Sequence, residues 1–333
     1  MKRAVAARPG VASPVTPDDV LRASRALGSR LHRTPLLSSA ALGEAVGARV
    51  FLKAELFQRT GSFKPRGMLA KLASLSADER RAGVVTVSAG NAAAALAYGA
   101  ALEGIDCLVV MAAAASPLKV AATRAYGASV DLEARTAEEA FARANELREA
   151  SGRTFVHPFD DDEVIAGHGS LGLEIVEDRP DVELVVVPVG GGGLVSGVAV
   201  AAMGARRDVR VVAVEPEGSA ALQAALAAGR PVRVVPVSIA DGLNAPFAGE
   251  RCLAVCRPLL AASVTVSEAE IREGFRFLYT RAKLAAEPAG AAGVAALLAG
   301  KLADVRGKTV VVVVSGGNVA GETASGILAC GEG

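Results

Sequence analysis

Hydrophobic residues along the chain follow two alternating patterns, and together these predict an α/β protein. Short runs of apolar, mostly β-branched residues are typical of strands covered on both faces of a parallel sheet. Segments rich in Ala, Leu, Arg and Glu with helical spacing lie between them. The order of these segments predicts doubly wound parallel sheets. Strands are expected at residues 50–57, 83–89, 107–113, 129–134, 154–159, 183–190, 209–216 and 308–318.

The N-terminal segment predicts a first helix that begins at Pro17. Thr16 suits the N-cap, and Asp19 stands where it completes a capping box. Residues 1–15 are rich in Ala, Pro and Arg, which predicts a loose tail. They lack an apolar core of the length that a signal peptide needs, so a cytoplasmic protein is expected.

Composition narrows the classes of partner. A chain of 333 residues is long enough for two domains, and its 36 Lys plus Arg against 35 Asp plus Glu leave a net charge of +1. No basic tract is present that would neutralise a nucleic-acid backbone or an anionic membrane. The apolar runs are too short to span a bilayer. These features favour a small-molecule ligand over nucleic acid or lipid.

The cysteines do not form a metal motif. Cys107, Cys252, Cys256 and Cys330 lack the paired CxxC spacing of a zinc site, and the CxxxC pair has no second pair or nearby His. We therefore expect reduced, mostly buried thiols.

A run of four glycines, Gly190, Gly191, Gly192 and Gly193, follows one predicted strand and precedes a helix. Free amide groups at a helix N-terminus bind anions, so the run predicts a phosphate site. One alternative is a simple tight turn, although a turn needs only one or two glycines. A second is a dinucleotide-binding unit with Glu215 after the next strand, but Val195 or Ser196 stands where its third glycine belongs.

Three further polar segments follow predicted strands at their carboxyl ends, where open α/β sheets bind ligands. They are GSFKPRG (residues 61–67), SAGN (residues 88–91) and SGGN (residues 315–318). Taken singly, each of the last two could be a plain helix cap, and Lys64 could be a solvated surface residue. Four glycine-bearing strand ends in one chain favour a shared ligand site instead.

The four segments SFKPRG, SAGN, GGGG and SGGN resemble, in this order, the pyridoxal-phosphate enzymes of the tryptophan synthase β fold. The likeness is greatest to the branch of threonine/serine dehydratases and serine racemases. It extends to GHGSLGLEI from Gly167, IADGL from Ile239 and EPAGAAGVAAL from Glu287. The resemblance implies two doubly wound parallel-sheet domains with pyridoxal 5'-phosphate in the cleft between them. It places residues 1–70 and 159–333 in a large domain and residues 71–158 in a small, mobile one.

The resemblance also implies roles for individual residues. Lys64 would form the Schiff base with the cofactor and then act as the general base, which requires a desolvated amine. Phe63 would pack on the pyridine ring and Ser315 would lie against its nitrogen. Asn91 would donate to the phenolic oxygen, and Gly190 to Gly193 would hold the phosphate.

The SAGN loop is expected to bind the substrate carboxylate, because it opens a helix. The residues assigned to this substrate site are Ser88, Ala89, Gly90, Asn91 and Ala92. Ala92 replaces a histidine that is common in the family, which leaves the identity of the substrate open. Ala89 replaces the serine that supplies the second acid/base of the racemase branch, so elimination without racemisation is expected.

The implied reaction is dehydration of a β-hydroxy L-amino acid such as L-threonine or L-serine to a 2-oxo acid and ammonia. Alternatives are β-replacement or racemisation of a related amino acid, or a non-catalytic protein that binds the cofactor as a sensor. The resemblance implies a homodimer. The chain ends soon after Asn318, so a C-terminal regulatory domain is not expected.

The sequence only partly matches the cation site of the related racemases. Glu215 and Ser219 match the cation site of the racemase branch, but Ala221 stands where that site has an Asp. This difference weakens a divalent site but leaves a monovalent cation as an alternative, and no metal is assigned.

Overall fold

The computed structural model describes residues 14–329, apart from the side chains of Leu118 and Ala137. The strands in this part of the chain are β1 Leu36–Ser38, β2 Arg49–Ala54, β3 Val84–Val87, β4 Cys107–Ala112, β5 Ser129–Ala134, β6 Thr154–Phe155, β7 Leu184–Pro188, β8 Arg210–Pro216, β9 Ala262–Val266 and β10 Thr309–Val314. The helices are α1 Pro17–Leu27, α2 Ala40–Val46, α3 Lys64–Ala73, α4 Ala77–Ala82, α5 Asn91–Glu103, α6 Pro117–Ala125, α7 Ala137–Ser151, α8 Asp162–Asp178, α9 Gly193–Ala205, α10 Ala221–Ala228, α11 Glu250–Leu259, α12 Glu268–Thr280, α13 Pro288–Leu298 and α14 Gly321–Ala329.

The strands form two sheets. One has six strands in the order β1-β2-β10-β7-β8-β9, and the other has four in the order β5-β4-β3-β6. Neighbouring strands are parallel except for β1, which pairs antiparallel with β2. The predicted α/β fold with two parallel sheets is therefore confirmed.

The strand predictions differ from the structure at the sheet margins. Each of the eight predicted runs contains a strand, but β6 covers only two of the six residues predicted there. Val156 still donates to the Val85 carbonyl oxygen of β3 at 2.8 Å, and residues 157–159 lead from there toward α8. β1 and β9 were not predicted: β1 has only three residues, and most of β9 is only partly buried.

Valine runs build the centre of the larger sheet. All six residues of β10 are buried. Val310, Val312 and Val314 pack in the hydrophobic cluster on one face, whereas Val311 and Val313 pack in the cluster on the other. A strand covered by helices on both faces has no polar side, which explains why its sequence shows no alternation.

The predicted start of α1 is confirmed. The Thr16 side chain accepts a hydrogen bond from the Asp19 amide, and the Asp19 carboxylate accepts one from the Thr16 amide. Of the tail predicted for residues 1–15, residues 1–13 lie outside the described part of the chain. Val15 at its end is buried, so the tail does not extend that far.

Gly67, the last residue of GSFKPRG, is needed for the packing of two helices. It lies inside α3, not in a turn. A Cβ built there would lie 2.5 Å from His168 Nε2 and 2.8 Å from the Val164 carbonyl oxygen. The glycine therefore allows α3 and α8 to pack closely, and this packing fixes the helix that begins at Lys64.

Two remaining features bear on function. Cys107, Cys252 and Cys256 are buried free thiols, whereas Cys330 lies outside the described residues. Within residues 14–329, no helix is both long enough and apolar enough to cross a bilayer.

Candidate active site

A cavity of about 790 Å³ lies between the two sheets and brings all four glycine-bearing segments together. Its walls come from the carboxyl ends of strands of both sheets, as expected for an open α/β fold. Every residue predicted for the site lines it: Phe63, Lys64, Ser88, Ala89, Gly90, Asn91, Ala92, Gly190, Gly191, Gly192, Gly193 and Ser315.

Lys64 is the first residue of α3 and points its amine into this cavity. Its Nζ donates a hydrogen bond to the Pro158 carbonyl oxygen at 2.8 Å and lies 5.1 Å from the centroid of the Phe63 ring. Burial lowers the pKa of this amine to about 8, although the nearby Cys252 and Glu287 oppose the shift. The lowered pKa increases the neutral fraction of the amine near neutral pH, which suits a nucleophile, and its burial excludes the surface-lysine alternative.

The four glycines form a loop that other residues approach very closely. Gly192 has φ of +102° and precedes the first turn of α9. A Cβ at Gly191 would lie 2.4 Å from the Phe159 ring, and one at Gly193 would lie 2.7 Å from the Phe159 carbonyl oxygen. A Cβ at Gly190 would lie 3.2 Å from the Leu243 backbone. These contacts explain why glycine occupies positions that a simple turn would not require.

The SAGN loop opens α5 on the opposite wall. Gly90 is the N-cap residue of that helix, and its amide donates to Ser88 Oγ at 3.2 Å. The Asn91 side chain donates through Nδ2 to both carboxylate oxygens of Glu287, at 2.9 and 3.2 Å. Ala92 is buried at the foot of the same wall.

The SGGN segment closes the side next to Lys64. Ser315 is buried directly after β10, and its carbonyl oxygen accepts a hydrogen bond from the Phe63 amide at 3.1 Å. Asn318 does not cap a helix, since α14 begins only at Gly321. Its Nδ2 donates to the Thr60 carbonyl oxygen at 2.7 Å and to Asn91 Oδ1 at 2.8 Å.

Two residues near the predicted set were not assigned from the sequence. Glu287 precedes α13 and lines the cavity, and burial raises the pKa of its carboxyl to about 7 despite the Asn91 hydrogen bond. His168 is fully buried on α8, and its ring meets Phe63 edge to face at 4.8 Å between centroids. Both lie within segments that carried the resemblance, but no local spacing indicates what they contact.

An ion pair joins opposite sides of the cavity. Lys119 on α6 donates through Nζ to an Asp241 carboxylate oxygen at 2.5 Å, and both residues line the cavity. The two side chains are 42% and 55% exposed, which places the pair at the mouth of the cavity. Neither residue was singled out from the sequence.

Glu215, a candidate cation ligand from the sequence, is used in the structure to bind backbone amides. Its carboxylate accepts hydrogen bonds from the amides of Leu222 and Gln223 at 2.7 and 2.8 Å, at the start of α10. Burial raises the pKa of this carboxyl to about 7. Among residues 14–329, no group of three or more His, Cys, Asp or Glu side chains is placed to hold a metal ion.

The chemistry of the cavity fits pyridoxal 5'-phosphate. It presents a desolvated amine for an aldehyde, a glycine loop at a helix N-terminus for a phosphate, and the Phe63 ring beside the amine. Ser315 and Asn91 add a hydroxyl and an amide on separate walls.

Comparison with known proteins agrees with this chemistry. The family model described as "Pyridoxal-phosphate dependent enzyme" matches residues 29–316. The L-threonine ammonia-lyase of Thermotoga maritima is 45% identical over 92% of this chain and 76% of its own length.

Two solved structures are also similar. The threonine deaminase of T.th. has a TM-score of 0.85 and 39% identity, covering 92% of this chain and 99% of its own. Maize serine racemase has a TM-score of 0.89 and 33% identity, covering 95% and 97%. The chain belongs to the family of pyridoxal-phosphate dependent enzymes, and its cofactor is pyridoxal 5'-phosphate.

Proposed function

We propose that this protein is a dehydratase that converts a β-hydroxy L-amino acid, such as L-threonine or L-serine, to a 2-oxo acid and ammonia. The observation that carries the proposal is the Lys64 amine, whose pKa is lowered to about 8 in a cavity that also contains the glycine loop. The L-threonine ammonia-lyase of Thermotoga maritima, at 45% identity, supports this choice of substrate.

Lys64 is proposed to act twice. When bound, the cofactor supplies a conjugated ring that withdraws electrons from the Cα atom of an attached amino acid. Lys64 would hold the cofactor through Nζ, and its amine, when free, would take the Cα proton of the substrate. The Cβ–O bond would then break, and the hydroxyl would leave as water with the proton that Lys64 has taken. The released enamine takes up water and gives the 2-oxo acid and ammonia.

The other cavity residues are proposed to hold and orient the cofactor. Gly190 to Gly193 bind the phosphate through backbone amides at the start of α9, a hydrogen-bond type that charge strengthens. Phe63 would pack on the pyridine ring, and Asn91 would donate to the phenolic oxygen. The Ser315 hydroxyl would lie against the ring nitrogen, and a hydroxyl is too weak an acid to keep that nitrogen protonated. A moderate electron sink is sufficient for elimination, because the leaving group takes up the electrons.

The substrate carboxylate is proposed to bind the SAGN loop. Ser88 and the amides at the start of α5 offer donors where the helix dipole favours an anion. Ala89 and Ala92 offer only methyl groups on this wall. Because this loop has no titratable side chain, the proposal has Lys64 alone exchange the Cα proton, without a second acid/base.

Two other activities remain to be separated from dehydration. Racemisation is favoured by the likeness to maize serine racemase, but Ala89 cannot exchange a proton. β-Replacement would use the same cavity with a second nucleophile. A non-catalytic sensor of the cofactor would release no product from any of these substrates.

The proposal includes the domain organisation. The proposed large domain comprises residues 1–70 and 159–333, of which 14–70 and 159–329 lie in the described part of the chain. Residues 71–158, which contain the four-stranded sheet, are proposed to form a small domain that moves to close on substrate. A homodimer and a cytoplasmic location stay predictions from the sequence. Sedimentation analysis of the purified protein would test the homodimer.

The assignment of Lys64 can be tested without substrate. Reduction of the yellow holoenzyme with borohydride should fix the cofactor to one peptide, and fragment-ion mass spectrometry should locate it on Lys64. Lys64→Ala should give no such adduct. A stable adduct on another lysine of the wild-type protein would contradict the assignment.

A further inference from the structure

Asn91 is held on both sides by other side chains of the cavity. Its Oδ1 accepts from Asn318 Nδ2 at 2.8 Å, and its Nδ2 donates to Glu287 at 2.9 and 3.2 Å. Asn318 Nδ2 places its other hydrogen on the Thr60 carbonyl oxygen at 2.7 Å. The four residues therefore form one chain of hydrogen bonds, which we call the Asn91 relay.

The relay fixes the orientation of the Asn91 amide. A flip of this amide would set its oxygen against the Glu287 carboxylate and its NH₂ group against that of Asn318. Acceptor would then face acceptor and donor would face donor, which costs the hydrogen bonds at both ends. Nδ2 has two hydrogens, so a bifurcated bond from one of them to both carboxylate oxygens of Glu287 leaves the second for the cavity, which Asn91 lines.

Glycine makes room for both supporting side chains. A Cβ at Gly316 would lie 2.6 Å from Glu287 Oε1, and one at Gly61 would lie 2.5 Å from Asn318 Oδ1. Gly61 has φ of +74°, and the adjacent Thr60 has φ of +59°, a region that threonine rarely occupies. The backbone at both ends of the relay is thus shaped around these two side chains.

We propose that Glu287 and Asn318 are positioning residues, which act through Asn91 by directing its second amide hydrogen at the phenolic oxygen of the cofactor. This inference rests on the proposed function, which gives Asn91 that contact. Glu287 serves as an acceptor and Asn318 as a donor. Neither is required to touch the cofactor.

The test uses the holoenzyme without substrate and measures the dissociation constant and the visible absorbance band of the bound cofactor. Asn318→Asp keeps the shape of the side chain but replaces the donor by an acceptor, and Glu287→Gln keeps an acceptor oxygen without the charge. Glu287→Ala removes the acceptor, and Asn91→Ala removes the central amide. Asn145→Ala, on the exposed face of α7, is the control.

We expect Asn91→Ala, Asn318→Asp and Glu287→Ala each to weaken cofactor binding by roughly tenfold and to shift the absorbance band in the same direction. Glu287→Gln and Asn145→Ala should resemble the wild type. In the Asn91→Ala background, Asn318→Asp should cause no further loss, because its effect passes through Asn91.

Three results would overturn the inference. They are additive losses in the double variant, wild-type affinity and spectrum for Asn318→Asp, or a Glu287→Gln variant as impaired as Glu287→Ala. Thermal unfolding of each variant distinguishes a folding defect from a misoriented Asn91 amide, since the isosteric variants should unfold near the wild-type temperature. A protein that binds the cofactor as expected but does not dehydrate hydroxy amino acids would contradict the proposed function and leave this inference standing.

Discussion

Lys64 occupies a position where a charged ammonium group is unfavourable. Burial lowers its pKa from the ordinary 10.5 to about 8, so the unfolded chain binds more protons than the folded one between these pH values. The free energy of unfolding of the apoprotein should therefore rise as the pH increases through this window. Below it, the protonated amine is present in both states, and its burial destabilises the fold.

A substitution of Lys64 should reveal this cost. At pH 7, we expect apo Lys64→Met to be more stable than the wild type by roughly 2–3 kcal/mol, because a buried ammonium is removed. The difference should shrink as the pH rises above about 8. Urea unfolding of both proteins at several pH values measures it. A difference that does not vary with pH would mean that the amine is not desolvated.

The side chain at position 89 is expected to decide whether the enzyme can racemise its substrate as well as eliminate water from it. With only a methyl group at this position, the wild type should form no D-serine from L-serine. Ala89→Ser should introduce slow racemisation or turnover of D-serine, since a hydroxyl can exchange a proton on the face opposite Lys64. Chiral chromatography after incubation in deuterated water measures both. Deuterated D-serine from the wild type would contradict the proposal.

At the scale of elements, the loop between β7 and α9 depends on close packing. Gly193→Ala would place a Cβ 2.7 Å from the Phe159 carbonyl oxygen, so the loop must move. We expect cofactor affinity to fall by at least tenfold, because the amides lose their alignment with the phosphate. Gly326→Ala, in an exposed turn of α14 with open space at its Cβ, is the matched control and should bind normally. Normal binding by Gly193→Ala would exclude the loop as the phosphate site.

The sequence was sufficient to predict the strands that are buried on both faces. Runs such as β7, β8 and β10 are apolar without interruption, and a strand is the simplest structure for a run of that length and composition. β1 has three residues and β9 is only partly buried, so neither carries that pattern.

The candidate site was also largely predictable, because each of its motifs follows a strand end. What the sequence could not give are contacts between distant segments. Glu287 lies 196 residues from Asn91, and nothing near either residue indicates that they meet. His168 and the ion pair of Lys119 with Asp241 depend in the same way on how the helices and loops pack around the cavity.

At the scale of the molecule, the cavity is bounded by both sheets, and Lys119 and Asp241 pair across its mouth. An exposed ion pair contributes little to stability, on the order of 1 kcal/mol or less. The pair between Lys119 and Asp241 can still favour a closed cavity while substrate is bound.

Lys119→Ala should therefore act on binding more than on folding. We expect KM to rise several-fold at low salt while kcat changes little, and the difference from wild type to fade at high salt as screening weakens the pair. Lys301→Ala, which removes an ion pair with Glu270 away from the cavity, should leave KM unchanged. Salt-independent kinetic effects of Lys119→Ala would exclude this role.

Turnover of L-threonine by the purified holoenzyme tests the proposed function most directly, with the 2-oxo acid and ammonia measured in the same sample. Dehydration predicts equal amounts of both from L-threonine alone, no requirement for an added thiol or amine, and no product from Lys64→Ala. Formation of product only when a second nucleophile is added would indicate β-replacement. Absence of both products across a panel of β-substituted L-amino acids would contradict the proposed activity.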